Sequence, residues 1–518
     1  MKKRLLSICL VLAVLMSLTV PITAGAADVS GDQLQYISGT VQNPLYANVP
    51  TPEREDAETQ SDEWTEAETK EATYVTPTQA ADQLRQAMVN RQSSVTLYIT
   101  TNDFWLVDGQ TNWFTEDFFP MAYSQELAQC PYDGDYLKWS WSQYGWQLMS
   151  YSGNQYAFQV ELIYYTNASE EAQLARGIEQ LAGTLGLANM EPYDAYTAIY
   201  DYITSHVDYD YAGLDTIEDS IRGNEDYYIF TAYGALMDGE AVCQGYAALY
   251  YALCWYVDLP VRIITSYNHA WNIVYLKEIW YNVDSTWDAE SYSGRDWYLL
   301  GSNNFDGGSH TSEDEYRTEE FRSNYPISPY DYDPAMPFND VPKTNGHYDN
   351  ILRATELNLF QGTSTYTFSP GMEITRGMLV TVLWRLNGSP ASTRDSGFTD
   401  VPQYMYYADA VDWAAENDIV NGMGGSIFSP NGPATREQLV TVLYRYAKYL
   451  GEDVSESASL NGFTDQGRVG AFALEPMQWA VGTGLVNGVT PTTLCPQNNT
   501  PREQLATLLI RLIDYYGL

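Results

Sequence analysis

Apolar and polar positions change period several times along the 518-residue chain, and each change marks an element. The apolar run from Leu5 to Val20 follows Lys2, Lys3 and Arg4 and precedes the small residues Ala24, Ala26 and Ala27. These are the three parts of an export signal, and the run is shorter than the ~20 residues a membrane-spanning helix needs. No later stretch approaches that length. Residues 28–75 hold few large apolar groups and an acidic text, TPEREDAETQSDEWTEAETKEAT, which reads as a solvated, disordered tether. From residue 76, Ala80, Leu84, Ala87 and Met88 recur at helical spacing behind Thr78 as a cap. Alternation at Val95, Leu97 and Ile99, then at Trp146, Leu148 and from Tyr156 to Tyr165, predicts aromatic-rich strands. Helical spacing returns over 170–187 and 194–206 and near 230–237. It returns again over 241–257, where Ala247, Tyr250, Tyr251 and Cys254 share a face and Cys243 sits in the first turn.

The next apolar alternation, NHAWNIVYLKEIWYNVDSTWD, predicts a hairpin. A two-residue turn at Lys277 and Glu278 pairs Leu276 with Ile279, sets His269 opposite Thr286, and makes Asp284 a diagonal neighbour of His269, ~7 to 8 Å away between Cα atoms. Lys-Glu is a poor turn sequence, so a longer loop with a shifted register stays open. Pattern is lost over 322–337, where four prolines mark a boundary. Beyond it the text repeats three times. Phe338-Asn339-Asp340, Phe398-Thr399-Asp400 and Phe463-Thr464-Asp465 each lead through a helical stretch to Gln361-Gly362, Asn421-Gly422 or Asn487-Gly488. A proline follows each, and then a second helix opening on Arg376, Arg436 or Arg502. Thr435 with Gln438, and Thr500 with Glu503, have capping-box spacing.

Charge narrows the function. The formal net charge is −41, and loss of the leader removes three cations and no acid, giving −44. Binding to nucleic acid, or to an anionic membrane surface, needs basic side chains to neutralise phosphates, so both are excluded as bulk properties. After the leader the cysteines are Cys130, Cys243, Cys254 and Cys495. On one helix Cys243 and Cys254 stand about 16 Å apart along the axis, too far for a disulfide, and free thiols are expected.

A thiol in the first turn of a helix feels the positive end of the dipole and unspent backbone N–H groups, which favours the nucleophilic thiolate. His269 is then a candidate base and Asp284 a candidate orienter of its ring. Each residue alone reads more simply as a buried thiol, a structural histidine and a turn former, and Cys254 reads as a core thiol. A metal is not expected, because no second His or Cys falls at ligand spacing, and no cofactor motif is present.

Taken together, Gly239-Glu240-Ala241-Val242-Cys243-Gln244-Gly245-Tyr246-Ala247, Leu259-Pro260-Val261-Arg262, His269-Ala270-Trp271-Asn272 and Trp280-Tyr281-Asn282-Val283-Asp284 resemble the transglutaminase-like superfamily. The resemblance implies a papain-like α+β core and acyl-thioenzyme chemistry on peptide or protein amides. Cys243 would be the nucleophile, His269 the base and Asp284 the orienter, with hydrolysis or transfer to an amine decided by the acceptor. The repeats resemble S-layer homology motifs, which implies a mainly α-helical trimer of repeats anchoring the protein to an acidic secondary cell-wall polysaccharide. By position Asp340, Gly362 and Arg376, Asp400, Gly422 and Arg436, and Asp465, Gly488 and Arg502 would line the ligand grooves. The first repeat departs from the pattern, with Arg353 for Trp413 and Trp479, and Gly377 for Glu437 and Glu503.

The expected organisation is a signal peptide (1–27), a tether (28–75), an α+β amino-terminal region (76–189), a transglutaminase-like domain (190–321), a linker (322–337) and repeats at 338–397, 398–462 and 463–518. The expected protein is bacterial, secreted and held at the cell surface in the wall or S-layer, without a membrane span once the signal is removed. Two functions stay open: a wall-anchored thiol enzyme, and a non-catalytic scaffold or adhesin.

Overall fold

The computed structural model describes residues 38–42, 72–105, 111–124, 134–214, 224–290 and 294–518. The export signal, Cys130 and most of the acidic stretch lie outside them. Among the described residues no helix is long and apolar enough to cross a membrane. The chain forms two compact units, one of residues up to Asn272 with Ser285–Gly294, the other of Ile273–Asp284 with Arg295–Leu518.

In the first unit α1 (Pro77–Val89) starts at Thr76, not Thr78. Thr76 accepts from the backbone of Gln79, Gln79 returns the bond, and Pro77 occupies the first helical position, where its missing N–H costs nothing. Four antiparallel strands, β1 (Ser38–Gln42), β2 (Ser94–Thr100), β3 (Trp141–Ser152) and β4 (Gln155–Tyr164), form a sheet in the order β1-β3-β4-β2. Strand β1 lies inside the predicted tether and pairs along β3 from Ser38–Gln147 to Gln42–Gln143. Trp146 and Phe158, foreseen as strand residues, are buried in one core with Phe114 and Phe118 of the helical turn Trp113–Phe118 and with Leu84 and Met88 of α1.

Helix α2 (Gly134–Lys138), α3 (Ala168–Leu185) and α4 (Pro192–His206) lead to the short strand β5 (Asp208–Tyr209), helix α5 (Ala232–Met237), strand β6 (Glu240–Ala241) and α6 (Cys243–Tyr256). Every residue of α6 from Gln244 to Cys254 is buried, so the helix has no polar face and the single apolar stripe expected of it is absent. Asp135 of α2 grips Arg262 through two bonds of 2.6 and 3.0 Å and accepts the N–H of Ile263 at 2.9 Å. This ties the amino-terminal region to β7 (Val261–Thr265) through a mostly buried ion pair.

A second sheet has the order β10-β9-β8-β7, with β8 (Ala270–Leu276), β9 (Ile279–Val283) and β10 (Tyr298–Leu300). Lys277 and Glu278 both adopt positive φ, 50° and 63°, so the two-residue turn forms despite its sequence. Lys277 Nζ explains part of this, donating to the carbonyls of Asp333 and Met336 at 2.8 and 2.6 Å. The hairpin does not continue to His269 opposite Thr286, because the chain coils into α7 (Ser285–Glu290) directly after Asp284. The proline-rich stretch runs beside β9, where Trp280 donates to Pro326 and Ser328 donates back to Trp280.

The three repeats each supply two helices: α8 (Tyr348–Glu356) and α9 (Arg376–Leu386), α10 (Ala408–Glu416) and α11 (Arg436–Tyr449), α12 (Leu474–Gly482) and α13 (Arg502–Tyr516). They share one hydrophobic core, including Leu439, Leu443 and Tyr446 of α11 and Leu505, Leu508, Leu509 and Leu512 of α13. Single β-bridges join Thr375 to Pro433, Thr435 to Asn499 and Glu373 to Pro501, so each repeat meets both others in a closed ring. Thr435 and Gln438 form the expected capping box. At α13 the cap is Pro501 with no side-chain bond, and the Thr500 hydroxyl is buried without a partner among the described residues.

Candidate active site and repeat loops

Cys243 is the first residue of α6. Its N-cap, Val242, offers no side-chain bond, so no side chain competes for the orphan N–H groups of the first turn. The residue is a half-buried free thiol, and Cys495 is another; Cys254 is free but fully buried, and burial pushes its thiol well up. Close packing surrounds the first turn. Gln244 donates to the carbonyl of Trp139 at 3.4 Å, and a Cβ on Gly245 would meet the Ile229 carbonyl at 2.6 Å. Only glycine lets α6 start this close to the preceding chain.

His269 sits in the turn before β8, closed by a Ser266 N–H bond to its carbonyl at 2.9 Å. The ring is 6% exposed and lies against Trp271 and Trp287, with centroids 6.1 and 5.6 Å away. Three residues on, Asn272 donates to Ala247 of α6 and to Arg262 of β7, which fixes the start of β8 against the cysteine helix. Asp284 directly follows β9 and is 1% exposed, its Oδ2 accepting from His310 Nε2 at 2.8 Å.

Sequence reasoning missed two groups here. Tyr209 of β5 is pushed far above the usual phenol range, first by burial and next by the charge of Cys243. Its position is legible only once β5 and β6 are known to pair. His310 had no signal in spacing, since a short turn 26 residues after Asp284 has no periodic relation to it.

In the repeats each predicted acid holds a loop of its own repeat, and each predicted arginine crosses to another repeat. Asp340 accepts the N–H groups of Phe368 and Ser369, Asp400 those of Phe428 and Ser429, and Asp465 those of Leu494 and Cys495, all at 2.7 to 2.9 Å. The second residue of each pair has positive φ. Gly362, Gly422 and Gly488 lie where a Cβ would strike a loop carbonyl, of Ser364, Ile427 and Thr490. Arg376 reaches into the second repeat, to the carbonyls of Phe428 and Asn421, and Arg502 reaches the same places in the first, Phe368 and Gln361. Arg436 differs. Its Nη1 donates to Gln504 at 2.9 Å, and its buried Nε has no partner among the described residues. Burial pulls all three guanidinium pKa values down, yet arginine stays charged. Glu437 and Glu503 also cross to the next repeat, accepting from Gly470 and Asn345; at Gly377 a Cβ would press on Tyr407 at 3.0 Å, which accounts for the glycine in the first repeat.

Two parts of this chain match known protein families. Residues 179–285 match the transglutaminase-like superfamily, and residues 337–377, 397–440 and 462–506 match the S-layer homology domain. More particularly, it is 32% identical over 179 residues to an endoglucanase of Bacillus sp. (strain KSM-635), a stretch covering 35% of this chain and 19% of that protein. It is 27% identical over 185 residues to a surface-layer 125 kDa protein of Lysinibacillus sphaericus (35% and 15%), and 26% identical over 127 residues to the human kyphoscoliosis peptidase (21% and 18%). The chain thus spans less than a fifth of each of these three relatives. A solved structure described as a TGase aligns with 37% of this chain and 50% of its own, at 12% identity and a TM-score of 0.20.

Proposed function

We propose that the chain is a cell-surface thiol enzyme acting on peptide or protein amides, with Cys243 as nucleophile, His269 as base and Asp284 as orienter. The observation that carries the reading is the half-buried Cys243 at the uncapped first position of α6, inside the segment that matches the superfamily. The cysteine sulfur bonds to the amide carbon while His269 holds the thiol proton. The C–N bond then breaks, and His269 gives the proton to the departing amine. Water or a second amine attacks the thioester, the C–S bond breaks, and the thiol returns. Developing negative charge on the carbonyl oxygen is met by the Cys243 N–H.

The test is alkylation of Cys243 in the full chain by iodoacetamide across pH, read by mass spectrometry. The expected result is a rate at neutral pH above that of a free thiol, falling in His269→Ala. A profile indistinguishable from an ordinary thiol of pKa about 8.5 overturns the reading; the scaffold or adhesin then stands.

The repeats support attachment to an acidic wall polysaccharide. Arg376 and Arg502 spend Nε and Nη2 on carbonyls, so Arg436, with the least committed donors, is the proposed anion contact. Arg436→Ala should weaken binding of the full chain to purified wall polymer, measured at a temperature where the variant is still folded, and unchanged binding would count against that assignment.

A further inference from the structure

Asp284 would be a costly residue to bury at a strand end unless its charge were met by hydrogen bonds. Within its own unit it is met by His310, whose Nε2 lies 2.8 Å from Oδ2, both side chains being 1% exposed. The imidazole is wedged, with the Phe305 ring centroid 4.0 Å away and that of Trp297 4.9 Å away. Trp297 also fixes the partner, because its carbonyl accepts the Asp284 N–H at 2.9 Å. His310 reaches this place through Gly307 and Gly308, both at positive φ, which open the single turn Gly308–His310. The other acid facing the ring is Asp306, raised by burial and pulled back by Arg322 and His310.

A carboxylate has one torsion to its plane. Holding one oxygen with a ring that cannot turn fixes the direction in which the other oxygen points, a hydrogen-bonded support of the kind that sets ligand and base orientation in metal and catalytic sites. We propose that His310 is a positioning residue for Asp284: it donates through Nε2, holds the carboxylate in one orientation, and so sets the base in the reaction proposed above. The inference rests on that reading and adds a fourth residue to it, one that lies outside the matched superfamily segment.

Three variants of the full chain separate the donor from the ring. In His310→Gln the amide nitrogen reaches the place of Nε2; in His310→Asn it falls at the place of Nδ1; His310→Phe keeps the wedge and loses the donor. The readout is the iodoacetamide rate at Cys243 from about pH 5 to 9. The glutamine variant should stay within about threefold of wild type, while the asparagine and phenylalanine variants lose roughly tenfold near neutrality, a part of what a positioned base contributes. A rate kept by phenylalanine and lost by glutamine means that the ring only packs, which overturns the proposal. If the phenylalanine variant does not fold, equal rates in glutamine and asparagine overturn it instead. A wild-type thiol insensitive to His269→Ala sinks the enzyme reading and this one together; sensitivity to His269→Ala with none at His310 sinks this one alone.

Discussion

A thiol's chemistry follows from its surroundings, and two cysteines eleven residues apart on α6 show the contrast. Cys243 heads the helix and is half-buried, whereas Cys254 is enclosed by apolar neighbours that hold it as the thiol. In the native chain Cys254 should resist iodoacetamide over hours at pH 8 while Cys243 reacts, and both should react in denaturant; peptide mapping of the labelled chain checks this. Lys277 presents the opposite sign. Burial pulls its ammonium down to about 8, with Asp333 opposing. The unfolded side chain titrates near about 10.4. Between about pH 8 and 10 the unfolded state therefore binds more protons, and stability rises with pH. Relative to Lys277→Met, the wild-type melting temperature should climb across that window and run parallel below it; parallel curves throughout would contradict the burial argument.

At the scale of elements, local pattern was a good guide to type and a weaker one to ends. Helix α1, the aromatic strands and the hairpin turn at Lys277 and Glu278 all formed where the period and turn position put them. Caps were less legible: Thr78 was expected where Thr76 caps α1 with Gln79 completing the box, and Thr500 is set aside by Pro501. The Asp loops of the repeats are elements too. Backbone N–H bonds from Leu494 and Cys495 hold the Asp465 carboxyl below its ordinary value although burial opposes them. A lowered carboxyl adds stability that is complete above the unfolded value of about 3.9 and is lost as pH falls through the folded one. Asp465→Asn should cost about 1 to 3 kcal/mol at neutral pH, by removing a charged acceptor from two N–H groups, and should flatten the acid limb below about pH 4 in denaturant titrations.

At the scale of the whole chain, the repeat ring is closed by residues far apart in sequence. Arg502 meets the carbonyls of Phe368 and Gln361, 134 and 141 positions away. Arg502→Ala leaves both carbonyls without that donor and opens the ring where its first and last repeats meet. It should lower stability by about 1 to 3 kcal/mol, and it should cost more than removing the exposed pair of Arg353 and Asp514 by Arg353→Ala. Equal losses in chemical denaturation would show that the core alone closes the ring. The net charge of −41 excludes bulk attraction to polyanions and says nothing of a single arginine placed at a helix start.

By itself the sequence determined the periods of the elements, the three repeats, and the motif that places Cys243 at a helix start. These depend on neighbours within a few turns or on text that recurs. Only the tertiary structure brought His310 to Asp284, Asp135 to Arg262, and Arg376 and Arg502 to carbonyls of another repeat. Such contacts join positions with no shared period, and burial makes them necessary: a carboxylate or guanidinium taken out of water must find its hydrogen bonds in whatever part of the chain the packing delivers.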